Sequence, residues 1–260
     1  MKSERRFLFH GHACAYSGRL YRPEDLIIAS PASAALSVAG GLSEARARRQ
    51  RFTPYLSVGP ARASAQGRFD DRRKAVAMTH GKLAEDDLTS TTACEVEIED
   101  IALDDKRFRV ESLRGGLTAR SPLKGNEPPI HLVRGTAISG VSIDGHTLVV
   151  KIDTKRFSKP ASFAALARDL RKSAVFEAHD TILYTSIVSS LEWSGKPHPT
   201  AKITGHELYV PEFGRVYFGE LFIERSAWRL TLMRAHLGSP IGLRVGFGDV
   251  GTNGAWYPPT

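Results

Sequence analysis

The chain has 260 residues, 42% hydrophobic and 25% charged, with 23 glycines, 14 prolines and a formal net charge of +8. That length and composition allow a full hydrophobic core and exclude a disordered or fibrous protein. No apolar run approaches the roughly 20 residues of a membrane-spanning helix. The longest weakly polar stretch, Ala29 to Leu42, is broken by Pro31, by Ser30, Ser33 and Ser37, and by Gly40-Gly41.

The N-terminus is basic, but its apolar segment, Phe7 to Phe9, stops at His10 and His12. It is too short for a secretory signal, so the default localisation is cytoplasmic. Two cysteines, Cys14 and Cys94, are too few for a disulfide framework. A reducing compartment is the simpler reading, with a single bridge left open. From Phe7 to Tyr16, Phe7, Phe9, Gly11, Ala13 and Ala15 alternate with Leu8, His10, His12, Cys14 and Tyr16, which predicts a strand closed by Ser17-Gly18. Leu26 to Ala29 is a second short apolar run.

Glu44 to Lys74 departs from the rest. Arg46, Arg48, Arg49, Arg51, Arg62, Arg68, Arg72, Arg73 and Lys74 face only Glu44, Asp70 and Asp71, so this segment carries +6 of the net +8. Its few apolar residues predict a long surface loop or arm with a short helical turn over 43–50. The charge then reverses. Nine acids fall between Glu85 and Asp105 without a base among them. In Cys94-Glu95-Val96-Glu97-Ile98-Glu99 the alternation is strict, placing Glu95, Glu97 and Glu99 on one face of a strand. A turn at Asp104-Asp105-Lys106 leads to a strand from Arg107 to Leu113.

After Pro128-Pro129, Ala137 to Ile143 and His146 to Asp153 flank Asp144-Gly145, a strong hairpin signal. Ser162 is placed to cap a helix whose apolar stripe is Phe163, Leu166, Ala167, Leu170 and Ala174. Strands follow over 181–191, 201–210, 214–223, 228–237 and 241–247, the fourth having a helical alternative because it lacks Gly and Pro. Ile143-Asp144-Gly145-His146 and Ile203-Thr204-Gly205-His206 echo one another, which a shared turn-then-strand solution explains better than a true repeat.

Chemistry is sparse. His10, His12 and Cys14 project from one side of a strand at spacings of about 7 Å, and imidazole and thiolate are zinc or copper ligands. Such a site needs a further ligand that the sequence does not identify, and a packed sheet face is the simpler reading. His206-Glu207-Leu208-Tyr209-Val210 lacks the second histidine of a zincin helix. There is no P-loop and no G-x-S-x-G elbow, and Gly246 to Gly251 fits a dinucleotide fingerprint only in its letters, since no helix and second strand can follow it. No catalytic residue is assigned and no cofactor is implied. Arginines interleaved with Phe52, Tyr55 and Phe69 can meet phosphates and stack on bases. Opposite charges on separate surfaces can instead join copies of the chain, or they can equally pair within one subunit.

Leu208-Tyr209-Val210-Pro211-Glu212-Phe213-Gly214-Arg215-Val216-Tyr217-Phe218-Gly219-Glu220-Leu221 continues through Arg229 to Leu232 toward Leu237-Gly238. With Val96 to Thr118 and Val141 to Val150, this resembles the β-rich ectodomains of bacterial choice-of-anchor surface proteins, over about half of the chain. The resemblance implies a β-rich, non-enzymatic surface or structural protein.

The expected fold is therefore mainly β, sandwich-like or partly solenoidal, with one amphipathic helix near 162–173 and a basic surface arm at 44–74. The expected division is 1–125 and 126–260, or one continuous domain. The leading function is a non-enzymatic structural protein, a homo-oligomer joined by strand edges and complementary charge. The alternatives are a nucleic-acid or other polyanion binder using the nine basic residues, and a metal-dependent enzyme at His10, His12 and Cys14.

Overall fold

Period-two burial runs through almost every segment that the sequence marks as strand, and it builds two large antiparallel sheets. The computed structural model describes residues 6–70, 89–122, 130–157, 163–173, 175–179 and 181–257. In chain order the strands are β1 (Arg6–Arg22), β2 (Leu26–Ala29), β3 (Ser33–Ala35), β4 (Gly41–Ala47), β5 (Gln50–Arg51), β6 (Leu56–Val58) and β7 (Ala61–Phe69). The long hairpin of β8 (Thr89–Leu103) and β9 (Phe108–Pro122) comes next, then β10 (Ile130–Ser139), β11 (Val141–Ile143) and β12 (His146–Ile152). Helix α1 (Phe163–Leu170) precedes β13 (Phe176–His179), β14 (Ile182–Ser186), β15 (Val188–Ser194), β16 (Lys202–Thr204) and β17 (Glu207–Val210). The chain closes with β18 (Gly214–Glu224), β19 (Ala227–Leu237) and β20 (Gly242–Tyr257).

The first sheet runs β13-β14-β18-β19-β20-β1-β2, with β3 also on β1 and the β16–β17 hairpin on β18. The second runs β15-β12-β11-β9-β8-β6-β5, with β4–β7 also on β8 and β10 on β9. The N-terminal β1 pairs with the C-terminal β20 from Arg6↔Tyr257 to Arg22↔Gly242. Strands β1, β19 and β20 pack over β7, β8 and β9. Between the sheets lie Phe9, Ala13, Val96, Ile98, Leu117, Leu230, Leu232 and Val250, all buried. Aromatic pairs bridge the layers, including Phe9–Phe69 at 5.3 Å and His131–Trp228 at 5.3 Å. Buried Ile187 stands between β14 in one sheet and β15 in the other; its N–H donates to the Gly219 carbonyl and its carbonyl accepts from Asp153 N–H.

The mainly β, sandwich-like expectation holds, with α1 burying Leu166 and Leu170 of its predicted stripe. Ser162 and Ala174 lie outside the described residues. The Trp228 to Leu237 segment is strand β19. Asp144-Gly145 turns β11 into β12, with Ile143 paired to His146, whereas the turn between β16 and β17 is Gly205-His206, one residue later in the echoed motif, with Thr204 paired to Glu207. One expectation is corrected. The described part of 44–74 is not a loop or arm, and 43–50 holds no helical turn: β4 and β7 pair over seven residues, and β7 pairs in turn with β8. Ala61, Ala63, Ala65 and Gly67 face inward while Arg62, Ser64, Gln66 and Arg68 face outward or toward the rim. This is strand alternation written in small residues, which give little hydropathy contrast. No helix among the described residues is long and apolar enough to cross a membrane.

Candidate functional site

The charged segments come together on the outer face of the second sheet. Register sets Arg62 of β7 opposite Glu97 of β8, and Glu97 opposite Arg114 of β9. The next row reads Ser64, Glu95, Gly116 and, on β10, Arg134. The basic and acidic blocks are thus neighbouring strands of one sheet and not separate surfaces, which corrects the separation expected from the sequence. Part of the basic charge is neutralised locally. Arg62 and Arg46 both hold Glu44 at 2.8 Å and keep its carboxyl below the usual carboxylate range, while Arg49 meets Asp100 at 2.5 Å. Arg48, Arg51 and Arg68 are exposed and, among the described residues, without an ion pair. Arg72, Arg73 and Lys74 lie outside the described residues.

Glu95, Glu97 and Glu99 project outward from β8, and neither they nor Arg114 and Arg134 form an ion pair among the described residues. Around Gly116 and Gly135, where side chains are missing, Arg62, Glu95, Glu97, Arg114 and Arg134 border a depression of about 320 Å³. Arg114 and Arg134 escaped the sequence reading. The available signal was an arginine followed directly by glycine at both places, a guanidinium beside a missing side chain.

The outer face of the first sheet carries His10, His12 and Cys14 on β1, as their alternation predicts. Asp249 of β20 stands opposite Cys14 and takes both Nε and Nη2 of Arg229 on β19, at 2.8 and 2.6 Å. His12 Nε2 lies 4.0 Å from the same carboxylate. Burial lowers the His12 pKa, against the pull of Asp249. Both cysteines are free thiols. Burial raises Cys14, whose Sγ donates to the Tyr16 carbonyl at 3.3 Å, and pushes Cys94 up to about 12. Among the described residues no group of three or more His, Cys, Asp and Glu side chains is placed to share a metal ion.

Further along this face, Glu220 of β18 is buried to 2% exposure. Arg234 of β19 donates to both its oxygens, at 2.7 and 2.5 Å, and the Tyr184 hydroxyl of β14 donates at 2.7 Å. His206 Nε2 stands 3.0 Å from that hydroxyl, and Arg234 lies over the Tyr217 ring at 4.5 Å. Burial alone would raise the Glu220 carboxyl; the His206 imidazole, Arg234 and Tyr184 outweigh it and bring the pKa down to about 2. Three hydrogen bonds, two from Arg234 and one from Tyr184, hold the charged form, so this carboxylate organises its neighbours. Local sequence carries no sign of it, because its partners come from β14, β19 and the β16–β17 turn.

Residues 7–186 match a family model described as a domain of unknown function (DUF8256). Neither the curated proteins nor the solved structures contain a match to the chain.

Proposed function

We propose that this chain, which belongs to the DUF8256 family, is a non-enzymatic structural protein that associates with copies of itself through the outer face of the second sheet. The observation that carries this reading is the row of Glu95, Glu97 and Glu99 beside Arg114 and Arg134, none with an ion pair among the described residues. Such a face is complementary to itself. In a two-fold contact residue i meets j and j meets i, so the acids of β8 in one copy meet the arginines of β9 and β10 in the other, twice over. The polyanion alternative is served less well by the same face, since its carboxylates would stand against phosphates. Arg48, Arg51 and Arg68 keep that alternative testable. Heparin retention of a monomer, abolished when these three are replaced by alanine, would favour it.

The experiment is native mass measurement across a salt series. One chain is 28.5 kDa. At low salt the particle is expected at twice that mass or more, falling toward one chain near 1 M salt, where the screening length is about 3 Å. A monomer at low salt defeats the reading.

A further inference from the structure

The geometry points to a second binding site, on the opposite side of the molecule, that takes a neutral saccharide unit in a basin of about 330 Å³ walled by His10, His12, Phe222, Arg229 and Asn253. The basin lies on the outer face of the first sheet, where register brings β1, β20, β19 and β18 together in the row His12, Gly251, Arg229, Phe222. Its floor has small side chains. Ala227 pairs with Asn253, and Gly251 allows the His12 ring to lean over β20: a Cβ at Gly251 would stand 2.3 Å from His12 Cε1.

Three features select the ligand class. The first is a ring platform. Phe222 is 41% exposed and is held against Tyr184 with centroids 5.0 Å apart, so it offers apolar surface to a partner that is itself part apolar. The second is a set of planar polar groups oriented by something other than the ligand. Arg229 is clamped by Asp249 through two nitrogens, and Asn253 Oδ1 accepts from Gly254 N–H at 2.6 Å. A polar group fixed beforehand loses little entropy on binding. The third is charge. Arg229 is neutralised by Asp249, Glu224 stands on the rim, and burial together with Arg229 and His10 favours the uncharged His12 against the opposing field of Asp249. With no excess positive charge, an anion gains little here. A ligand bearing several hydroxyls, with an apolar ring face, meets both donors and acceptors. A volume near 330 Å³ falls at the small end of ligand sites, which suits one or two sugar rings.

The test is saturation-transfer NMR on the full chain with glucose, galactose, mannose and β-1,4-linked tetramers of each as probes. Transfer to the ring protons of at least one probe is expected at millimolar concentration. Phe222→Ala and Arg229→Lys are each expected to weaken it at least tenfold while leaving the melting temperature within a few degrees of the parent. No transfer from any probe overturns the site, as does transfer that both variants leave unchanged. Inorganic phosphate shifting the Arg229 and His12 resonances while the sugars do not would also overturn it. Because this face is separate from the charged face of the second sheet, the outcome does not depend on whether the chain self-associates.

Discussion

Two buried side chains tie the stability of this protein to pH, and they do so in different windows. His131 lies between the sheets, 4% exposed, stacked on Trp228, with Nδ1 3.1 Å from the Thr252 hydroxyl. Burial lowers its pKa to about 4, only partly opposed by the Ser226 backbone. The unfolded chain takes up this proton near pH 6.5 and the folded chain only near 4. Stability is therefore complete above 6.5 and falls by about 3 kcal/mol as the pH drops to 4. Glu220 adds a later loss. Its folded pKa of about 2 lies below the ordinary 4.5, so its contribution is full above 4.5 and disappears as the pH falls toward 2. Urea unfolding free energies measured from pH 8 to 2.5 are expected to show both declines. His131→Leu should shrink the first and spare the second. His12 and His236, whose pKa values burial also lowers, leave a smaller decline in the first window. A decline between 6.5 and 4 that this substitution leaves undiminished would assign it elsewhere. The same residues test pairing. Glu220→Leu leaves Arg234 without its carboxylate and is expected to cost up to about 3 kcal/mol, less than a fully buried pair because Arg234 retains access to water. Adding Arg234→Met should recover part of that loss in the same urea assay.

Among the elements, the turns were legible and the small-residue strands were not. Asp144-Gly145 could be recognised because a type I′ hairpin turn needs φ above zero at both positions, and the structure has φ 48° at Asp144 and 82° at Gly145. Arg107 then clamps the Asp144 carboxylate with Nε and Nη2 at 2.9 and 3.0 Å, a partner from the β8–β9 turn that local sequence does not reveal. Gly145→Ala is expected to lower stability by about 1 kcal/mol, read as a shift of the thermal midpoint, because a Cβ is strained at positive φ. Strand β7 shows the opposite case. Its inward residues Ala61, Ala63 and Ala65 are buried, yet alanine and serine look alike to a hydropathy pattern, so the arginines set the reading as a loop. Tight inter-sheet packing explains the small side chains. Ala63, with 0% exposure, has no room to grow, and Ala63→Leu should cost about 1–3 kcal/mol by overpacking, measured by urea midpoint.

At the scale of the whole molecule, the positions of charge along the chain were legible but their meeting was not, because which strand lies beside β8 is a non-local fact. Register turns an apparent division of charge into alternating rows, and this makes the proposed contact specific enough to reverse. Glu95→Lys, Glu97→Lys and Glu99→Lys together give a face dominated by bases, joining three lysines to Arg114 and Arg134 beside the Arg62–Glu44 pair. Arg114→Glu with Arg134→Glu gives a face dominated by acids. Each variant alone repels its own copies and is expected at 28.5 kDa even at low salt. Mixed in equal amounts, the two have matching faces and are expected to form a heterodimer of twice that mass, dissolving again as salt screens the contact. If the parent chain associates and the mixture does not, the contact lies elsewhere. The exposed edges then become the candidates, since Ile27 on β2 is 75% exposed and Leu42 on β4 is 68% exposed. Apolar association through those edges would survive high salt, so the salt series and the mixing experiment must agree before the charged face is accepted as the interface.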